Sequence, residues 1–148
     1  MTQDLTSGDL IRLFPDLARA KHSGARCQSD AAGQGRYVRK ADCVPQFADV
    51  SIQARPAEAL CVKLRHQWPA TIPSNMAARL DAALLRGLME AVLQHEPPAM
   101  GCELVTTAVV HHPDTTEMAV RIAASMAFQD MARKTQWTPA PPSNPKVA

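Results

Sequence analysis

Aromatic side chains are scarce in this sequence. They make up 4% of its 148 residues, with two Trp, one Tyr and three Phe. Hydrophobic residues of all kinds nevertheless reach 46%. Because a chain of this length has the size of one ordinary domain, we predict a single core built from Leu, Val, Ile, Met and Ala.

Long apolar runs and a strong charge of either sign are also missing. No run reaches the roughly 18 apolar residues that a membrane helix needs, and residues 1–13 contain Asp4 and Asp9 but no apolar segment typical of a signal peptide. Lys and Arg number 16 against 14 Asp and Glu, a net charge of +2. Bulk charge therefore gives no argument for nucleic-acid binding, which would need local clustering. We expect a cytoplasmic protein with no membrane partner.

The motifs of several common site types are absent. The four cysteines, Cys27, Cys43, Cys61 and Cys102, contain no CxxC pair, so their spacing gives little support to a zinc site, and we interpret them as reduced thiols. The sequence has no GxxxxGK motif and hence no phosphate-binding loop. It also shows no nucleophile constellation and no paired carboxylates at a spacing that suggests acid–base chemistry. We expect no enzyme, no cofactor and no metal.

The clearest helix runs from Asp114 to Lys134. Asp114 is expected to cap it, with Glu117 reaching back as in a capping box. Methionines and one isoleucine form a stripe at helical spacing that we predict to face the core: Met118, Ile122, Met126 and Met131. Four small residues would let the helix lie close to a sheet: Ala119, Ala123, Ala124 and Ala127.

Seven further segments show strand, loop or helix patterns. Residues 1–14 predict a short amphipathic helix, and residues 22–35 a loop with a short strand near Arg26 to Ser29. Alternating or β-branched residues predict strands at 36–41, 47–55, 60–65 and 104–110. A second long helix is predicted from Ser74 to Gln94, and Gly87 inside it indicates a close crossing.

This order of strands, helix, strand, helix predicts an α+β fold with a mostly antiparallel sheet and helices on one face. We divide the chain into an N-terminal helical lead-in (residues 1–20), one domain (residues 21–137) and a Pro-rich tail (residues 138–148). The composition of that tail, TPAPPSNPKVA, is typical of disordered or extended segments.

The second half of the chain resembles the fourth domain of elongation factor G and related translational GTPases. Residues 110–117, VHHPDTTE, resemble that family's turn S-Y-H-x-V-D-S-S-E, and residues 119–128, AVRIAASMAF, resemble its helix A-F-K-x-A-A-S-x-A-F. Weaker matches are Ile72-Pro73, Glu96 to Ala99, and the segments Gly35 to Lys40 and Gln46 to Val50. The resemblance covers about residues 33 to 137.

This resemblance implies a four-stranded sheet backed by two helices, with a left-handed βαβ crossover. It also implies a role, because in the whole factor this domain reaches the decoding region of the small ribosomal subunit and contacts transfer RNA and messenger RNA. Two tip loops make that contact, and they correspond here to Ala41 to Gln46 and Val109 to Asp114. His111 stands at the family's tip histidine. The implied partner is the ribosome or RNA, and the implied protein is a detached domain without the GTPase domain.

The first tip departs from the family pattern. Where the family has glycines, this chain has residues 41–45, ADCVP; glycine permits close approach to phosphates and the replacements do not. Asp42 adds a negative charge. Because a detached domain need not keep its parent's task, two hypotheses stay open: a module that binds RNA or the ribosome without hydrolysing GTP, or a protein–protein interaction or structural domain that has diverged from translation.

The candidate site residues are two histidines and five cations. His111 and His112 are predicted to contact RNA phosphates or stack on a base, the alternative being a solvated turn. A metal site formed with Asp114 is disfavoured because adjacent side chains at a strand end point to opposite faces. The cations are proposed to form a basic face toward phosphates, the alternative being ordinary solvated charges: Arg36, Arg39, Lys40, Lys63 and Arg65.

Overall fold

The fold consists of two sheets and four helices over the residues that the computed structural model describes, 3–21, 23–40 and 44–139. The strands are β1 (Gln3–Leu5), β2 (Ala25–Cys27), β3 (Ala31–Arg39), β4 (Gln46–Pro56), β5 (Cys61–Leu64), β6 (Cys102–Val110) and β7 (Trp137–Pro139). The helices are α1 (Ser7–Leu13), α2 (Leu17–Ala20), α3 (Ser74–Gln94) and α4 (Glu117–Ala132). The predicted α+β class is confirmed.

The main sheet has five strands in the order β1-β5-β6-β4-β3. Its pairs are antiparallel except for β5 and β6, which run parallel and are connected through α3. The prediction of four strands is wrong because Gln3–Leu5 pairs with β5 instead of joining an N-terminal helix. That pairing satisfies backbone groups that β5 would otherwise leave open at the sheet edge. β2 and β7 form a separate two-stranded sheet.

One face of the main sheet is buried and the other is open. On β4 the alternate residues Ala48, Val50, Ile52 and Ala54 are buried, whereas the residues between them are half-buried or exposed. α4 contacts β3 and β4 on the buried face, and α3 packs along α4. Both long helices therefore lie on one face, over a single aliphatic core.

α4 lies so close to the edge strand β3 that only glycine fits beneath it. A Cβ atom on Gly33 would stand 2.2 Å from the Ala127 carbonyl oxygen, and one on Gly35 would stand 2.0 Å from the Ala123 carbonyl oxygen. α3 and α4 also approach each other closely: a Cβ on Gly87 of α3 would stand 2.1 Å from the Arg121 carbonyl oxygen of α4. The predicted close crossing at Gly87 is confirmed.

This close approach corrects the predicted orientation of α4. Met118 and Met126 are 58% and 37% exposed, and of the three methionines in the predicted stripe only Met131 is buried. The buried face consists largely of small residues: Ala119, Val120, Ala123, Ala124, Ala127, Phe128 and Met131. Met131 and Met126 border the contact, because their Cβ atoms would stand 2.7 Å from a Cβ on Gly33 and 2.8 Å from a Cβ on Gly35. Met118 is the stripe methionine with the greatest exposure.

The ends of three predicted elements also differ. α4 is capped by Thr116, whose hydroxyl accepts the Ala119 N–H at 3.1 Å, and not by Asp114. β3 begins at Ala31 inside the predicted loop 22–35, because its glycines are needed under α4. Thr138 and Pro139 pair with β2 and so do not belong to the predicted tail. Residues 140–148 lie outside the described residues.

The cysteines within the described residues are free thiols. Cys27 and Cys102 are buried, and burial raises the pKa of the Cys102 thiol well above its usual value. Cys43 lies outside the described residues. Across the described ranges, no cluster of three or more His, Cys, Asp or Glu side chains is arranged to hold a metal ion. Among the helices of those ranges, none combines the length and hydrophobicity that crossing a membrane requires.

A buried polar network fixes the chain where it leaves β5. The Thr106 hydroxyl, fully buried on β6, accepts the backbone N–H groups of Arg65 and His66 at 3.0 and 3.4 Å. It also lies 2.7 Å from His66 Nδ1. The Thr106 hydroxyl therefore contacts both the backbone N–H and the imidazole ring of His66.

The same network extends to α3. His66 Nε2 donates to Asp81 Oδ1 at 2.6 Å, and Trp68 Nε1 donates to the same oxygen at 2.7 Å. The His66 and Trp68 rings meet edge-on, with their centroids 5.5 Å apart. The network thus ties the loop after β5 to both β6 and α3 and fixes the orientation of the Trp68 ring.

The contact between α4 and β3 predicts a large cost for Gly35→Ala. The added methyl would enter the α4 backbone, and overpacking of this kind costs about 1–3 kcal/mol of unfolding free energy; we expect the upper end of that range. Gly8→Ala is the matched control, since the nearest atom to its Cβ, Thr6 Oγ1, lies 3.8 Å away. Urea denaturation measures both variants. Equal stabilities would contradict the close approach.

The buried network predicts that Thr106→Val is destabilising although valine has the same shape. It removes the hydroxyl that bonds the His66 N–H and His66 Nδ1, whereas the Arg65 N–H keeps the Thr106 carbonyl oxygen as an acceptor at 3.2 Å. Each buried unsatisfied group costs about 1–3 kcal/mol. We expect a loss of about 2 kcal/mol or more by thermal or urea denaturation. Thr107→Val is the control, because Thr107 is exposed and its hydroxyl donates only to the Ser51 carbonyl. A Thr106→Val protein as stable as the control would rule the network out as a stabilising feature.

Candidate nucleic-acid interface

Three loops meet at one end of the main sheet. They are the connection between β3 and β4, described at residues 40 and 44–45, residues 65–73 between β5 and α3, and residues 111–116 between β6 and α4. They share this end because β5 and β6 run parallel, while the β3–β4 hairpin pairs with β6 through antiparallel β4. We call residues 40, 44–47 and 111–116 the tip. Residues 41–43 lie outside the described residues.

The two segments of the tip are connected by direct bonds. The Phe47 N–H donates to the Asp114 carbonyl oxygen at 3.0 Å, and the Thr116 hydroxyl donates to Gln46 Oε1 at 3.1 Å. The rings of Phe47 and His112 lie 5.2 Å apart. The loops that the resemblance assigned to the two tips therefore lie side by side where the structure describes them.

His112 is held by short-range bonds within its own turn. Its Nδ1 accepts the Asp114 N–H at 3.1 Å, and its backbone N–H donates to Thr115 Oγ1 at 3.0 Å. Nδ1 also lies 3.5 Å from Asp114 Oδ2, but a nitrogen that accepts a backbone N–H carries no proton, so this approach is not an ion pair. The side chain is 50% exposed, and its Nε2–H is left as a donor.

His111 has a different environment from its neighbour. It is half-buried, and its ring meets the Trp68 ring edge-on at a centroid distance of 6.4 Å. Trp68 is itself fixed by its bond to Asp81. His111 packs toward the loop after β5, whereas His112 packs toward Phe47, as expected for adjacent residues at a strand end.

The five predicted cations divide into two groups. Arg36, Arg39 and Lys40 are exposed at the end of β3 that leads into the tip, and the Arg36 guanidinium lies 5.5 Å from the Phe47 ring centroid. Lys63 and Arg65 belong to β5 and the residue after it, and β6 and β4 stand between them and β3. Three strand spacings correspond to about 14 Å, so the five do not form one row.

The β5 cations are paired with carboxylates. Lys63 Nζ lies 3.0 Å from Glu103 Oε2, and Arg65 Nη1 lies 2.6 Å from Asp4 Oδ1. The hydrogen bond from Arg65 lowers the pKa of the Asp4 carboxyl. Arg55 adds a third cation near Glu103, at 3.8 Å. The open face of the sheet therefore carries mixed charge around β5, with three cations and two carboxylates, and the other predicted cations lie toward the tip.

Two aromatic residues lie at this end of the sheet that the sequence analysis did not include among the candidate site residues. Phe47 contacts both Arg36 and His112, and Trp68 connects His111 to the buried network. One feature of the sequence could have indicated Trp68: the chain has only two Trp, and this one stands in a polar loop before a helix.

Comparison with known proteins gives relatives in translation. No family model matches the chain. Elongation factor G of Thermotoga maritima is 26% identical over 113 residues, which cover 74% of this chain and 16% of that factor. Elongation factor G of Thermotoga petrophila is 26% identical over 110 residues, 72% of this chain and 16% of the factor. The chain thus spans less than a fifth of the length of these relatives.

A solved structure shares the fold. The crystal structure of a protein from Thermus thermophilus superposes with a TM-score of 0.67 at 23% identity, covering 80% of this chain and 18% of that one. Together with the sequence relatives, this confirms the resemblance inferred from residues 33 to 137: the chain is similar to a part of elongation factor G.

Proposed function

We propose that this chain is a translation-factor module that binds the ribosome or structured RNA through its tip and does not hydrolyse GTP. The observation that carries the proposal is the pairing of the two tip segments through Phe47, Asp114, Gln46 and Thr116. This pairing presents His112 beside the cations of β3. The similarity to elongation factor G supports a role in translation, which takes place in the cytoplasm.

In this proposal the tip residues have separate tasks. Arg36, Arg39 and Lys40 contact phosphates, and the Nε2–H of His112 donates to a phosphate or a base edge. His111 positions the turn through Trp68. Lys63 and Arg65 join the contact surface at its margin, where their carboxylate partners reduce their attraction for RNA.

The proposal that the chain does not hydrolyse GTP rests on the sequence, which has no GxxxxGK motif and hence no phosphate-binding loop. The proposal also includes no nucleotide, cofactor or metal. We further propose that the β5–α3–β6 connection has the left-handed sense that the resemblance implies. The lead-in, domain and tail divisions (residues 1–20, 21–137 and 138–148) are likewise kept as a proposal, with the tail shortened to begin after Pro139.

A second candidate function is docking to a protein. Three exposed valines lie at the same end of the sheet: Val38 at 44%, Val44 at 75% and Val110 at 50% exposure. Apolar side chains beside a face of mixed charge are typical of protein–protein interfaces. A domain that has diverged from translation would use this surface for a protein partner.

The proposed function predicts salt-dependent binding that the tip cations control. Arg39→Glu with Lys40→Glu should weaken binding to ribosomes or structured RNA at least roughly tenfold and flatten its salt dependence, since each lost phosphate contact lowers the slope by about one. Co-sedimentation with ribosomes and filter binding to a structured RNA, each at several salt concentrations, measure this.

The matched control reverses the charges of the other adjacent Arg–Lys pair, in the variant Arg133→Glu with Lys134→Glu. That pair follows the last residue of α4, about 24 Å from the tip by helix length, and it forms ion pairs with Asp130. Its reversal should leave binding unchanged while both proteins stay folded by circular dichroism. Equal loss in the two variants indicates nonspecific charge effects. Binding that is insensitive to salt and to both variants favours the protein-docking function.

A further inference from the structure

A groove opens next to the tip, between α1, the loop after β5 and α3. Its volume is about 660 Å³, within the range of roughly 300–1,000 Å³ that small-ligand sites occupy. Aliphatic side chains from several elements form its walls: Leu5, Leu13, Ile72 and Leu85. Leu13 is 58% exposed although it lies on this groove. The walls therefore offer an apolar surface that the described residues leave partly exposed, chiefly at Leu13.

The polar part of the groove is Asp81, which lies with His66 and Trp68 among its lining residues. Asp81 Oδ1 accepts both the His66 Nε2–H and the Trp68 Nε1–H. Among the ion pairs of the described residues, the only partner of Asp81 is His66, through the same Oδ1 at 2.6 Å. No described Lys or Arg pairs with this carboxylate.

The second carboxylate oxygen, Asp81 Oδ2, has no donor among the described residues, and the side chain lines the groove and is 33% exposed. A partly buried carboxylate with one oxygen free of donors attracts a cationic donor, and its two bonds to Oδ1 hold it in one orientation. The groove therefore combines one oriented negative charge with an apolar wall.

We propose that this groove binds a small aliphatic ammonium compound. The ammonium group donates to Asp81 Oδ2, and the hydrocarbon chain lies against the leucine and isoleucine walls. An anionic ligand would be repelled by Asp81, and a neutral one would leave the charge unmatched. The site is separate from the proposed RNA contact, which uses cations on β3, and it does not depend on that function.

The test uses n-hexylammonium as the probe and n-hexanol as its neutral counterpart. Trp68 lines the groove and serves as the reporter by fluorescence in a Trp137→Phe background, since the chain has two Trp. Amide chemical-shift changes in the unmodified protein give a second readout. We expect hexylammonium to bind at least roughly tenfold more tightly than hexanol, because the charged pair forms in a partly buried site.

Asp81→Asn keeps an oxygen that accepts both N–H groups and removes the charge. It should lower hexylammonium affinity at least roughly tenfold and leave hexanol binding unchanged. Glu58→Gln, which removes one charge from an exposed turn, is the matched control and should have no effect. Ala78→Phe fills the groove from an exposed position on α3 and should abolish binding of both probes, whether or not Asp81→Asn folds.

Three results would overturn the proposal. The first is equal affinity for hexylammonium and hexanol, which would make the groove merely apolar. The second is hexylammonium binding that Asp81→Asn or Ala78→Phe leaves intact, which would place the probe elsewhere. The third is no saturable binding by either readout. Arg39→Glu with Lys40→Glu should not alter hexylammonium binding, so failure here and failure of the RNA proposal are independent.

Discussion

The contact between the backbones of α4 and β3 is the constraint on which the rest of the fold depends. Gly33 and Gly35 bring the helix to the strand at a distance that admits no side chain between them. This distance selects alanine on the facing side of the helix and turns Met118 and Met126 outward. It also sets where α4 begins relative to the sheet, and that position brings residues 111–116 beside Gln46 and Phe47. The tip is therefore a consequence of helix–strand packing at a distance from it.

The same contact closes the exposed edge of the sheet. β3 is the last strand, and the Gln34 N–H on it donates to Asp130 of α4 at 3.0 Å, while Lys134 donates to the same carboxylate. The backbone hydrogen bond from Gln34 lowers the pKa of Asp130. A carboxyl whose pKa is lowered by folding stabilises the folded state above its unfolded pKa, and this stabilisation is lost as the pH falls through the folded value. The edge strand is thus held at one end by a charged group of α4 and at the tip by neutral hydrogen bonds.

Local patterns in the sequence were sufficient to predict where the helices and strands lie along the chain. They were not sufficient to predict which side of each element faces the core. Alternating apolar residues identified β4, β5 and β6, and the limits of α3 agree with Ser74 and Gln94 because capping and proline signals act over a few residues. The four alanines of α4 predicted to lie close to a sheet are buried, so that part of the prediction is confirmed. The methionine stripe was wrong at Met118 and Met126 because periodicity identifies a stripe by hydrophobicity, whereas the short distance to β3 favours small residues. The pairing of Lys63 with Glu103 and of Arg65 with Asp4 joins residues about 40 and 60 positions apart, and no local pattern encodes it. The five predicted cations therefore lie in two groups, one at β3 and one at β5, with two strands between them.

The two adjacent histidines show how packing separates residues that sequence treats alike. His111 contacts Trp68, whose indole nitrogen is bonded to Asp81, which also holds His66. That chain of contacts connects the His111 ring to the core. His112 is held within its own turn and by Phe47. In the proposed RNA contact, the residue at the family's histidine position, His111, therefore supports the turn, and the residue after it, His112, is the donor.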